Sequence, residues 1–184
     1  MKKLFFISLL LSYSFPASAE LNIFACEPEW AALSQELGGD DVVVYSATTG
    51  LQDPHYIQAR PSLIAKARKA DLLVCTGAEL EVGWLPLLQS KSANPMIQNG
   101  ADGYFMATDY VSLLNKPTHI DRSQGDVHSA GNPHIQTDPH QILKVGEALT
   151  LRLQQLDMNR KAAYQQRWGD FKQRWRSAIV KWEK

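Results

Sequence analysis

The sequence contains only two cysteines among its 184 residues, Cys26 and Cys75. A cysteine-rich zinc site is therefore excluded, because such a site needs several thiolates at short spacing. At most one disulfide can form, and each cysteine ends an apolar run that we predict to be a strand. A disulfide between neighbouring strands and two buried thiols are both open alternatives at this point.

The chain also lacks an excess of charge of either sign, with 19 basic and 19 acidic side chains. Removal of a leader that contains Lys2 and Lys3 would leave 17 basic residues against 19 acidic ones. Because nucleic-acid binding needs a basic patch or stripe, we predict that the protein binds no nucleic acid. The sequence shows neither repeats nor low-complexity tracts, and its length suits a single domain.

No apolar run is long enough to cross a bilayer as a helix. Leu4–Phe15 instead has the length of a signal-peptide core, follows the cationic Lys2 and Lys3, and is followed by the small residues Ala17–Ala19. We predict that residues 1–19 are a cleaved export signal. The mature chain would begin at Glu20 and be soluble in the periplasm, where disulfides persist.

Short apolar runs alternate with helical patterns in the first half of the mature chain. The runs at 21–26, 42–45 and 71–75 are typical of buried strands. Such alternation indicates an α/β fold with a parallel sheet covered by helices, in which ligands collect at the carboxyl ends of the strands. We predict about four strands, the fourth being Met96–Ile97 after a helix over 81–89.

The second half of the chain begins with residues 99–137, rich in Gly, Asp, Asn, Pro and His, which we predict to form long loops around one short helix at Tyr110–Leu114. Asp138 and Pro139 then predict the start of a helix that ends near Leu156. A long C-terminal helix follows. Its large apolar side chains recur at helical spacing and form one stripe: Tyr164, Trp168, Phe171, Trp175, Ile179 and Trp182.

Two of the five histidines share a local pattern. His55 follows Asp-Pro and His134 follows Asn-Pro, so each imidazole comes after a residue that favours a side-chain turn and a proline with fixed φ. Stiff presentation suits a zinc site, because the metal–nitrogen distance of about 2.0–2.1 Å tolerates little error. We predict that His55 and His134 bind a metal ion.

Three longer motifs carry a resemblance to a known family. They are Leu51–His55 with Arg60-Pro61-Ser62, Ala70–Glu81, and, most specifically, Gly125–Pro139. On these motifs the mature chain resembles the solute-binding proteins of zinc and manganese ABC transporters.

The resemblance implies one lobe of a two-lobed protein. In that family a divalent ion lies between two α/β lobes joined by a long helix, and two histidines of the N-terminal lobe match His55 and His134. The ligands of the C-terminal lobe have no counterpart in this sequence. We therefore expect an N-terminal metal-binding lobe at 20–137, C-terminal helices with a linker-like helix at 138–184, and no second lobe. The sequence would then be a fragment, a truncated gene product or a protein whose partner supplies the second lobe, and the aromatic stripe would lack the surface it covers.

The other polar candidates are less informative. His119 and His128 lie in the long loop, and either could complete a metal site. His140 falls in the first turn of a helix, where we expect it to be a surface residue. Glu79 and Glu81 could orient a ligand histidine, but a solvated helix start is the favoured interpretation.

We predict a binding protein and no enzyme, without catalytic or cofactor-binding residues. It would capture a divalent metal in the periplasm and deliver it to an ABC transporter permease at the inner membrane. Zn²⁺ is expected before Mn²⁺, because imidazole ligands suit zinc. The alternatives are a stand-alone zinc metallochaperone and a zinc-dependent hydrolase, the latter lacking a His-Glu-x-x-His or Gly-x-Ser-x-Gly motif.

Overall fold

The computed structural model describes residues 19–120, 123, 125 and 127–184. The predicted export signal, apart from Ala19, lies outside these residues. Within the described part of the chain, none of the helices combines the length and the apolar character needed to cross a membrane.

Within the residues that the structure describes, four parallel strands form one sheet, as predicted. The strands are β1 Leu21–Ala25, β2 Val42–Ser46, β3 Leu72–Cys75 and β4 Tyr104–Met106. Their order is β2-β1-β3-β4, so the first strand of the chain lies inside the sheet. Ile23 of β1 is opposite Val44 of β2 on one side and Leu72 of β3 on the other. All four strands end at the same edge.

The prediction of the fourth strand was wrong. Met96–Ile97 belongs to a 3-10 turn, because Pro95 cannot donate to a strand ladder and the Asn94 side chain accepts a hydrogen bond from the Met96 amide at 3.0 Å. β4 lies instead within the segment predicted to be loops, where Phe105 is opposite Val74 of β3. A strand of three residues is too short to show a period-two pattern.

In the described part of the chain, five α-helices cover the sheet, four of them with a proline in the first or second position. The predicted helix at 81–89 begins four residues later, at Leu85, and the short helix expected at Tyr110–Leu114 is a 3-10 turn that ends at Tyr110. The helices are α1 Pro28–Gly38, α2 Pro61–Ala67, α3 Leu85–Ser92, α4 Pro139–Leu156 and α5 Lys161–Trp182.

Alternate residues of each strand enter two separate cores, as the pleat of a strand requires. Ile23 and Ala25 of β1 pack with α1, α4 and α5 on one face of the sheet. Phe24 and Cys26 pack with α2 and α3 on the opposite face. The result is a three-layer α/β/α sandwich, in agreement with the predicted fold class.

The aromatic stripe of α5 is covered over its first half, contrary to our expectation. Tyr164, Trp168 and Phe171 are buried in the same core as β1 and α1. Close packing is possible because α4 carries Gly146, where a Cβ atom would lie 2.8 Å from the Trp168 ring. Only the far end of the stripe is open, with Trp182 63% exposed.

A disulfide joins Cys26 and Cys75, so the first of the two alternatives for the cysteines is confirmed. The two residues follow and end the neighbouring strands β1 and β3, with Cα atoms 4.8 Å apart, and both are fully buried. The bridge therefore ties together the carboxyl ends of the two central strands.

Reduction of this disulfide is expected to lower the free energy of unfolding by about 2–4 kcal/mol, because the cross-link restricts the unfolded chain over a separation of 49 residues. Denaturant unfolding with and without a reductant measures the effect. The Cys26→Ala, Cys75→Ala double variant is the control and should unfold like the reduced chain and ignore the reductant. An unchanged stability after complete reduction, verified by thiol titration, would contradict the expectation.

Candidate metal centre

His55 is held by the turn predicted from its Asp-Pro context. The Asp53 side chain accepts a hydrogen bond from the His55 amide at 3.0 Å, and its Oδ1 lies 2.7 Å from the His55 ring Nδ1. These two hydrogen bonds hold the pKa of Asp53 below its usual range. Trp84 fixes the same turn by donating its indole N–H to the Pro54 carbonyl at 2.8 Å. With Nδ1 engaged by a carboxylate, Nε2 of His55 is the nitrogen available to a ligand.

His134 is held by a turn of the same kind. The Asn132 side chain accepts a hydrogen bond from the His134 amide at 2.9 Å, and the Thr137 hydroxyl donates to the His134 carbonyl at 2.8 Å. The ring centroids of His55 and His134 are 6.1 Å apart, with 64° between the ring planes. The fold thus brings the two predicted ligands to one place, although their role as ligands stays a prediction.

A third histidine, His128, completes a cluster with these two. Its Nε2 lies 3.1 Å from Nε2 of His55, and the two ring centroids are 5.2 Å apart. Glu79 holds the loop by accepting hydrogen bonds from the Ser129 amide at 2.8 Å and the Ser129 hydroxyl at 2.7 Å. Desolvation, and then the neighbouring His55, lower the pKa of His128, against a hydrogen bond to the Ala78 backbone that raises it. The neutral imidazole is therefore favoured.

The turn after β3 supports His128 through an unusual backbone. Gly77, Ala78 and Glu79 follow one another with φ values of 86°, 49° and 69°. Such a run is strained for the two residues that have a Cβ atom, so something must hold it. The Glu81 carboxylate does so, accepting hydrogen bonds from the Thr76 amide at 2.7 Å and the Gly77 amide at 3.0 Å. The prediction that Glu81 is solvated was wrong, since only 2% of the residue is exposed.

A second buried carboxyl group, Glu27, lies beside Glu81 and is only 3% exposed. It accepts a hydrogen bond from the Thr76 hydroxyl at 3.1 Å, and that hydroxyl in turn accepts one from the Trp30 indole at 2.7 Å. Burial and the charge of Glu81 raise the pKa of Glu27 to about 10. Desolvation raises the pKa of Glu81 as well, against the hydrogen bonds that it accepts from Gly77, Glu27 and Thr76. A proton on Glu27, donated to Glu81, therefore relieves the repulsion between the two buried carboxylates.

The remaining histidines lie apart from this cluster. His55 makes ring contacts with Tyr56, His128 and His134, whereas His119 is exposed in the loop. His140 is exposed as predicted and its Nε2 is 3.1 Å from a carboxylate oxygen of Glu183, near the end of α5. The structure thus brings His128, and not His119, to the predicted pair.

Among the described residues, one group of three ligand-type side chains has its ligand atoms close together, and the three histidines are not that group. Ligand atoms of Cys26, Cys75 and Glu81 lie within 4.8 Å of one another. Both sulfur atoms belong to the disulfide, and only a thiolate is a strong cysteine ligand for a metal. The histidine cluster is therefore the candidate metal centre.

The sequence did not reveal two parts of this centre. His119 and His128 were equal candidates for completing the metal site, because residue spacing does not predict the path of a long loop. Glu79 was not expected to hold that loop, since its partner Ser129 lies 50 residues further along the chain. The family motif Ala70–Glu81 contains Glu79, but a sequence motif does not show which distant residue such a side chain contacts.

The comparisons with known proteins match the predicted family and fold. The family model described as ZnuA, zinc-uptake complex component A periplasmic, matches residues 23–184. The manganese ABC transporter substrate-binding lipoprotein scaA of Streptococcus gordonii is 24% identical over 149 residues, which are 81% of this chain and 46% of that protein. These names describe binding proteins of transporters and not enzymes, in agreement with the prediction.

Solved structures show the same fold. A Mn-bound periplasmic metal binding protein from Candidatus Liberibacter asiaticus has a TM-score of 0.70 and 19% identity, covering 88% of this chain and 55% of that one. A crystal structure of ZnuA has a TM-score of 0.65 and 20% identity, covering 86% and 55%. The chain spans about half the length of the relatives it matches.

The buried carboxyl pair predicts a stability that falls as pH rises. Between the ordinary value near 4.5 and about 10, the folded protein binds a proton at Glu27 that the unfolded chain does not bind. Each step upward in pH within this window therefore favours unfolding. The Glu27→Gln variant cannot ionise but can still donate to Glu81, so its melting temperature should fall less between about pH 5 and pH 9 than that of the parent.

Glu81→Gln is the matched control for this measurement. Its amide offers one oxygen where the carboxylate offers two to the amides of Thr76 and Gly77, so it should melt earlier at every pH. Thermal unfolding followed by circular dichroism over the pH series compares the three proteins. Parallel profiles for Glu27→Gln and the parent would show that Glu27 does not hold the proton.

Proposed function

Because the chain belongs to the family of periplasmic zinc-uptake component A proteins, we propose that it captures a divalent metal ion, Zn²⁺ first, and passes it to an ABC transporter permease. We place this step in the periplasm, after cleavage of the export signal. The ion is cargo, and no bond is made or broken.

One observation carries the proposal: His55 and His134 present their rings 6.1 Å apart from two turns of the same construction. In each turn a side-chain oxygen accepts the hydrogen bond of the histidine amide. Such preordering lowers the entropy lost when two side chains are fixed on one ion. The pair lies beyond the carboxyl ends of the strands, where parallel α/β sheets bind their ligands.

The choice of zinc over manganese rests on the donor atoms. Neutral imidazole nitrogens suit Zn²⁺, while Mn²⁺ favours carboxylate and carbonyl oxygens. Relatives of both kinds occur, since the matching family is described by zinc uptake and the Streptococcus gordonii relative by manganese. Asp53 is the nearest carboxylate to His55, but its Oδ1 already accepts two hydrogen bonds from that residue. We therefore assign Asp53 to orienting the ring.

The experiment is a calorimetric zinc titration of residues 20–184 and of the variants His55→Ala and His134→Ala. Loss of either imidazole removes a ligand, so the affinity should fall at least about tenfold in each variant. His140→Ala is the matched control, because His140 is exposed and lies against Glu183 instead of the cluster. It should bind like the parent. Unchanged affinity in both ligand variants would refute metal capture at this site.

A further inference from the structure

We propose that His128 is a third ligand, so that this single lobe holds the ion through three imidazole nitrogens and leaves one coordination position open. The inference rests on the proposed function and extends it to a ligand outside the pair His55 and His134. Its main support is the position of the His128 ring relative to His55.

The distance between the two ring nitrogens fits a shared ion. Nε2 of His55 and Nε2 of His128 are 3.1 Å apart. Two nitrogens bound to one tetrahedral zinc at 2.0–2.1 Å are separated by about 3.3–3.4 Å. A movement of a few tenths of an ångström would therefore place these two nitrogens on the same ion. The three ring nitrogens are not all within 4.8 Å of one another, so the His134 ring, with its centroid 6.1 Å from that of His55, has to move closer when the ion binds.

Each of the two rings also makes a hydrogen bond to a second group. Nδ1 of His55 lies 2.7 Å from Asp53, and the ring of His128 hydrogen-bonds to the backbone of Ala78. Metal-binding histidines generally donate their second N–H to a carboxylate or a carbonyl, which sets the tautomer and leaves the other nitrogen as a lone-pair donor. Nε2 of His55 meets this requirement, and the contact with Ala78 orients the His128 ring.

The loop that carries His128 is fixed at both ends of its short path to His134. At its start, Ser129 is held by Glu79 through the two hydrogen bonds described above. Within it, Gly131 has φ of 119°, and a Cβ atom there would lie 2.8 Å from Leu113. Asn132 then donates its amide to the Leu114 carbonyl at 2.8 Å. The same packed segment thus positions the second and the third histidine.

Three imidazole ligands and one open coordination position determine which metal ions the site would bind. They favour Zn²⁺ and Co²⁺ over Mn²⁺, because the latter prefers oxygen donors. Three protein ligands and one exchangeable position are the arrangement of zinc sites that react with incoming groups. Here the open position would accept water in the free lobe and a donor atom of the receiving protein during transfer.

Cobalt spectroscopy of residues 20–184 tests the inference. Co²⁺ bound by three imidazoles and water should give the intense visible absorption of a four-coordinate ion. The His128→Gln variant should lose this absorption and bind Zn²⁺ about 10- to 100-fold more weakly in competition with a chelator. His119→Gln is the matched control, because His119 is an exposed histidine of the same loop. It should keep both properties.

The outcomes separate this inference from the proposed function. If His128→Gln retains the parent's absorption and zinc affinity while His55→Ala loses them, His128 is no ligand and metal capture by the pair still stands. If the parent binds neither ion, the proposed function itself fails.

Circular dichroism of each variant verifies the fold. Glu79→Gln provides a second variant, which displaces the His128 loop without altering an imidazole. It should weaken zinc binding while keeping the four-coordinate absorption.

Discussion

The parallel pairing of four short strands is the constraint on which the rest of the molecule depends. Because β2, β1, β3 and β4 all run in one direction, their carboxyl ends share one edge of the sheet. The segments that follow these strands carry all three clustered histidines, with His55 after β2 and His128 and His134 after β4. Residues 73 positions apart thereby come within 3.1 Å of each other. An antiparallel arrangement would send alternate loops to opposite edges and separate them.

A set of polar contacts, buried at Glu27 and Glu81 and exposed at Glu79, connects the interior to this edge. Glu27 and Glu81 lie next to the disulfide, Glu81 holds the strained turn after β3, and Glu79 in that turn holds the His128 loop. Burial of two carboxyl groups is costly unless one of them keeps its proton and every oxygen finds a donor. The two carboxyl groups are buried next to the turn Gly77–Glu79, whose positive φ angles are stabilised by hydrogen bonds to Glu81. Rigid support below a metal site limits the movement that its ligands undergo on binding.

Sequence reasoning recovered the parts of the protein that are encoded locally. The apolar runs at 21–26, 42–45 and 71–75 predicted three of the four described strands, and proline positions predicted the starts of most helices. The Asp-Pro and Asn-Pro contexts of His55 and His134 identified two members of the cluster through the turns they form. Features that arise from distant contacts were not recoverable. β4 is stabilised by its neighbour β3, Glu81 is buried by tertiary packing, and His128 reaches His55 through a loop whose course depends on contacts with Glu79 and Leu113.

Metal capture by this protein requires that His55 and His134 converge on a single ion at the carboxyl edge of the sheet. Long-range proton–nitrogen NMR correlation of the histidine rings, recorded during a zinc titration, tests it directly. We predict that ring nitrogens of His55 and His134 shift together and saturate at one zinc per chain, while those of His119 and His140 stay unchanged. Independent shifts at different zinc concentrations, or shifts confined to the exposed histidines, would contradict the claim.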